Sequence, residues 1–201
     1  MSTSDEQRNA SSIGQDFFYG ISKKKNYRRA FPYLLDAAAT GYVHAQNLVG
    51  YCYDLGLGVK KHKRAAAFWY KQAASAGHKE ALCNLALLYE RGAGVRRNPK
   101  KAFALYKQAA ALGDAVAQRQ LGMMYFQGIG IRRNPTIGVG WLRRAAHKGD
   151  PEAQYSLALA YKDGEGVAKR VSLAKLWLSK AAKQGFTKAA VALRSLAKSA
   201  G

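Results

Sequence analysis

A period of 36 residues governs this chain. Ala45, Ala81, Ala117, Ala153 and Ala189 begin successive copies, and Tyr53, Tyr89, Tyr125 and Tyr161 hold the ninth place. Glycine pairs follow at Gly56/Gly58, Gly92/Gly94, Gly128/Gly130 and Gly164/Gly166. Alanine pairs stand at Ala73/Ala74, Ala109/Ala110, Ala145/Ala146 and Ala181/Ala182, and each copy closes near Gly77, Gly113, Gly149 or Gly185. Matches in register without insertion at such a period mean a repeat architecture.

One copy reads as two helices and two turns. In 81–89, Ala81, Leu85, Leu88 and Tyr89 share one face at helical spacing. The paired glycines then end the helix, because glycine enters the left-handed region without a Cβ clash. Asn98-Pro99 and Asn134-Pro135 open the second helix. Asparagine caps it, and proline at the first helical place loses no bonded N–H. That helix is expected over about 100–111, its alanine pair allowing a close approach between helices. A single hairpin cannot bury its own apolar stripe, so the copies must stack. The expected fold is all-α: a right-handed α/α solenoid.

The pattern A-x-x-x-L-x-x-x-Y-x-x-G-x-G-V, then K-A-x-x-x-Y-x-x-A-A-x-x-G, resembles the Sel1-like repeat family, relatives of the tetratricopeptide repeats. Gly92-Ala93-Gly94-Val95, Lys101-Ala102, Tyr106 and Ala109-Ala110 carry the match, and Trp69-Tyr70 and Trp141 supply its aromatic positions. Gly138 and Gly140 depart from it and are expected to loosen one second helix. The resemblance implies a non-enzymatic adaptor that holds protein partners. It also implies, for some bacterial members, a disulfide bridging the two helices of each repeat. Cys52 and Cys83 lack that spacing and read as buried free thiols.

One domain is expected. Residues 1–8 form a short disordered tail, and 9–197 form the solenoid. Residues 9–44 are a degenerate capping repeat in which Ser22 replaces the second glycine and Pro32 makes the second helix start late or kink. Copies 45–80, 81–116, 117–152 and 153–188 follow. Residues 189–197 give a closing helix with Leu193 and Leu196 inward. No apolar run reaches the ~20 residues of a membrane helix. The polar start lacks the features of a secretory signal, and the expected location is the cytoplasm.

No phosphate loop, nucleophile elbow or HExxH stretch is present. No catalytic residue, metal site or cofactor is expected. His44, His78 and His147 fall near the turns between copies and read, with His62, as surface residues. The nearest acidic pair, Asp163 and Glu165, lies in a turn.

Charge is the remaining signal. Lysine and arginine number 33 against 12 acids, a net charge of +21. The excess gathers in the loop between the two helices of each copy. The first copy gives Lys24, Lys25, Arg28 and Arg29. Next come Lys60, Lys61, Lys63 and Arg64, then Arg96, Arg97, Lys100 and Lys101. Arg132, Arg133, Lys169 and Arg170 complete the set, and these stretches hold no acid. Stacked copies would align them into a ridge of summed positive potential. A one-sign stripe repels itself unless a partner neutralises it. An acidic protein is the expected partner. The alternative is a nucleic-acid backbone, held through phosphates with strong salt dependence. Single-strand binding also wants aromatics beside the charge, and only Tyr27 lies within the ridge stretches.

A second candidate surface is the concave groove formed by the first helices. Asn47, Tyr51, Leu87, Glu90, Arg119, Met123, Phe126 and Tyr155 fall on that face. An apolar stripe among mixed charges would suit a peptide or helix laid along it.

Overall fold

The computed structural model describes the backbone of residues 3–198 and the side chains of residues 9–197. The described residues form eleven α-helices and no strand. They are α1 (Thr3–Tyr19), α2 (Tyr27–Ala39), α3 (Val43–Leu55), α4 (Lys63–Ser75), α5 (Lys79–Arg91), α6 (Pro99–Ala111), α7 (Ala115–Gln127), α8 (Pro135–His147), α9 (Pro151–Asp163), α10 (Val171–Lys183) and α11 (Thr187–Lys198). Each of α2 to α10 is 13 residues long, so the sequence period is also the structural one.

Each first helix starts two residues before its alanine, because the cap stands three residues before it. Asp114 and Asp150 accept the N–H of Ala117 and Ala153, both at 2.7 Å. His78 Nδ1 accepts that of Ala81 at 3.4 Å. The second helices α2, α4, α6 and α8 are capped the same way, whereas Arg170 at the start of α10 makes no side-chain cap bond. Asn26, Asn98 and Asn134 accept from Arg29, Lys101 and Ile137 at 2.9–3.1 Å. His62 Nδ1 accepts from Ala65 at 3.0 Å. Such caps satisfy backbone donors that the helix leaves unpaired.

The chain packs as two compact units, Met1–Leu105 and Tyr106–Gly201, with the boundary inside α6. In the first, Phe18, Leu34, Leu48, Val49 and Cys52 are among the buried core. In the second, Leu142, Leu157, Trp177 and Leu178 are, with Leu193 and Leu196 of α11 packed against them. The alanine pairs lie inside, from Ala73 to Ala146 at no more than 9% exposure.

Two repeated devices join neighbouring copies. Gln46, Gln118 and Gln154 are buried, and their amides donate to the carbonyls of Ala38, Ala110 and Ala146 at 3.1–3.3 Å. The second turn glycine lets backbone meet backbone. A Cβ on Gly94 would lie 2.3 Å from the Lys63 carbonyl carbon, and one on Gly166 2.4 Å from that of Pro135. At Ser22, the equivalent place in the first copy, the hydroxyl instead turns to Asp16.

Several expectations change. Residues 3–8, expected in a disordered tail, are the first turns of α1; residues 1 and 2 lie outside the described residues. Helix α2 holds Pro32 yet begins at Tyr27, the equivalent of Lys63, so it does not start late. Helix α8 keeps its full length despite Gly138 and Gly140. The closing helix runs to Lys198, and residues 199–201 lie outside the described residues.

Candidate functional site

In the first unit the basic loops lie against one another. Gly58 of one turn touches Tyr27 and Arg28, where α2 begins, and Gly94 of the next touches Lys63 and Arg64, where α4 begins. Lys24, Lys25, Arg28, Arg29, Lys60, Lys61, Arg64, Arg96, Arg97, Lys100 and Lys101 are all exposed. Lys63 is half-buried and bridged to Asp54. Arg97 Nε donates to the Glu90 carbonyl at 3.0 Å.

This surface is indented. Asn26, Tyr27, Arg28 and Lys60 are among the lining of a cavity of about 560 Å³. Tyr89, Arg96, Arg97, Asn98 and Lys101 line one of about 590 Å³. Phe17, Lys23, Lys24, Lys25, Asn26 and Arg29 line one of about 400 Å³. None of the three is lined by an acid. The aromatic walls are covered by the protein's own cations. Lys101 Nζ stands 4.4 Å from the centre of the Tyr89 ring, and Lys23 Nζ and Arg29 Cζ stand 4.8 and 5.4 Å from that of Phe17. Sequence reading placed only Tyr27 in the ridge; Phe17 and Tyr89 reach it from the ends of first helices.

In the second unit, Gly166 touches Pro135 and Thr136, which brings the last two loops together. Arg132, Lys169 and Arg170 are exposed, while Arg133 is bridged to Glu165 and donates from Nε to the Phe126 carbonyl at 2.9 Å. Two of the basic side chains, Lys63 and Arg133, thus already have carboxylate partners that the loop stretches themselves do not contain.

The groove residues divide. Asn47 is 8% exposed, and its oxygen accepts from the Asn84 amide at 3.4 Å, so it is an internal residue and not a groove contact. Arg119 is bound to Asp150 at 3.3 Å and Glu152 at 2.6 Å, which ties α7 to the start of α9. Tyr155 packs on Phe186 with ring centres 5.4 Å apart. Tyr51 is exposed, and Leu87 and Glu90 are half-buried. Met123 and Phe126 are half-buried and share a cavity with Leu159.

Cys52 and Cys83 are buried and outside any disulfide, and burial pushes the Cys52 thiol up to about 12. His44 and His78 are not separate surface residues. His44 Nδ1 lies 3.4 Å from His78 Nε2, and His44 Nε2 lies 3.4 Å from the Tyr19 hydroxyl. The two histidines are 34 residues apart and meet because their copies stack.

The Sel1 repeat model matches residues 14–42, 43–78, 79–114, 115–150 and 151–186. The chain belongs to the Sel1 repeat family. The last four matched segments begin where α3, α5, α7 and α9 begin, two residues before the alanines, and the first begins within α1. The Sel1 repeat protein from Oxalobacter formigenes is similar in structure, with a TM-score of 0.88 and 32% identity over 96% of this chain and 78% of that one. The protective antigen c5321 of uropathogenic Escherichia coli, which displays an SLR fold, gives a TM-score of 0.85 and 31% identity over 93% of this chain. This chain spans 40% of that antigen's length. No curated protein sequence matches the chain significantly. Sel1 repeats mediate protein–protein interaction, and solenoids of this family are typically non-catalytic scaffolds. Among the described residues no helix is long and apolar enough to cross a membrane.

Proposed function

We propose that this Sel1 repeat protein is an interaction scaffold that captures an acidic protein on the basic loop surface of its first unit. The observation that carries this reading is the stacking of three turns through Gly58 and Gly94, beside three basic cavities that no acid lines. Positive charges placed side by side raise a shared potential and speed the encounter with a negative partner. Protein is favoured over single-stranded nucleic acid by the covered rings. A base stacks on an open aromatic face, and the faces of Tyr89 and Phe17 already carry Lys101 and the pair Lys23/Arg29. Exposed first-helix residues such as Tyr51 would add contacts beyond the loops.

Charge reversal tests the reading. Arg96→Glu/Arg97→Glu changes two exposed loop side chains, so the fold should be kept. Binding to an acidic polypeptide, followed by fluorescence anisotropy with poly-glutamate as probe, should weaken at least about ten-fold. The matched pair Arg132→Glu/Arg133→Glu, where Arg133 is already bridged to Glu165, should cost less. Equal loss from both pairs would remove the first unit's special role.

A further inference from the structure

The copy 117–152 departs from the repeat at two places that touch. Its tenth residue is Phe126, where Asp54, Glu90 and Lys162 stand in three other copies and Phe18 in the first. Its twenty-second is Gly138, where Ala30, Ala66, Ala102 and Ala174 stand, every one of them fully buried. A Cβ on Gly138 would lie 2.6 Å from Phe126 Cδ2 and 2.9 Å from the Gly122 carbonyl oxygen. The ring of Phe126 therefore occupies the space that a methyl group fills elsewhere. Only this copy pairs an aromatic tenth residue with a glycine at the twenty-second; the first copy has Phe18 with Ala30.

The pairing makes the wall of a cavity of about 290 Å³ in the second unit. Met123 and Phe126 of α7, Leu142 of α8 and Leu159 of α9 give it apolar walls. Its exposed lining is Gln127, Asp163 and Glu165. Lys162 bridges Asp163 at 3.3 Å and Arg133 bridges Glu165, each through one carboxylate oxygen. The volume is just under the ~300 Å³ from which small-molecule sites begin. It suits one large apolar side chain, seated in the kind of well-packed pocket where the main binding contacts of interfaces cluster. Two carboxylates at the edge of an apolar cavity, in a chain of net charge +21, select the sign of what flanks that anchor.

We infer that this cavity takes a leucine-, methionine- or phenylalanine-sized side chain of a partner protein that carries lysine or arginine on either side of it. The lining holds two carboxylates and no base, the reverse of the basic cavities of the first unit, and the inference stands whether or not those bind an acidic protein. The test uses the full chain with ¹³C-methyl methionine. The probes are the peptides acetyl-Lys-Leu-Lys-amide and acetyl-Glu-Leu-Glu-amide. Met123 lines the cavity and Met124 is buried, so their methyl signals serve as reporter and control. The lysine peptide should shift the Met123 signal saturably and leave Met124 in place. Half-saturation should come at a concentration at least about ten-fold lower than with the glutamate peptide.

Phe126→Lys, the residue of the next copy, should abolish the shift. Asp163→Asn/Glu165→Gln keeps the apolar walls and should erase the preference between the peptides, which holds the test open if Phe126→Lys fails to fold. No saturable shift with either peptide overturns the cavity as an anchor site. Equal half-saturation of the unmodified chain by both overturns the assignment of a basic flank.

Discussion

Tyr70 lies fully buried in α4. Its ring rests on Gly50, where a Cβ would come within 2.6 Å of Cδ1. Its hydroxyl finds no hydrogen-bond partner. Burial first, and then nearby Asp54, push that hydroxyl far above its ordinary range, so it stays protonated. A buried polar group without a partner costs free energy and gives nothing back. Tyr70→Phe should therefore leave stability unchanged or raise it by ~1 kcal/mol in chemical denaturation. A clear loss would reveal a partner for the hydroxyl. His78 is the other telling residue. It is held below its ordinary value of 6.5 chiefly by burial; His44 and Lys79 add to the effect and Glu80 opposes it. Tyr19 faces the same pair from α1 through His44. The unfolded chain thus takes up this proton at higher pH than the folded one. The stabilising share is complete above pH 6.5 and is lost as pH falls through the lower folded value. Thermal unfolding should come earlier at pH 5.5 than at pH 7.5. His78→Asp, which copies the caps Asp114 and Asp150, should flatten that difference. An undiminished difference in the variant would place the titration elsewhere.

At the scale of helices and turns, the two glycines of each turn have different duties. Gly92 ends α5 in the left-handed region, and Gly94 also admits the backbone of α4. Gly77 has a φ of +80° but open space around it. Gly77→Ala should cost ~1–2 kcal/mol, the strain of left-handed backbone alone. Gly94→Ala should cost ~3 kcal/mol or more, because a collision with backbone is added. Equal melting temperatures for the two variants would refute the separate roles. The helices, their glycine ends and the caps Asn98 and Asn134 were legible in the sequence because capping acts over three residues. The starts were misplaced by two because the alanine repeats more faithfully than the caps His78, Asp114 and Asp150. Contacts between copies were hidden. Nothing in the local pattern couples His44 to His78, and Gln46, Gln118 and Gln154 look like ordinary polar helix residues. Gly138 read as a loosening of α8 because its function is to seat a ring from another helix.

For the whole molecule, charge was legible and its disposition only partly so. The loop stretches contain no acid, yet Asp54 and Glu165 reach in to Lys63 and Arg133. The exposed cations and basic cavities gathered by the first unit are what make it the proposed capture surface. The most direct measurement is affinity capture from native lysate at low salt, split in two, with one half treated with nuclease before elution. A defined acidic protein held in both halves and released by raised salt is the predicted result. Bound material that carries nucleic-acid absorbance and vanishes with nuclease would contradict the account, and the basic loops would then be a track for phosphates.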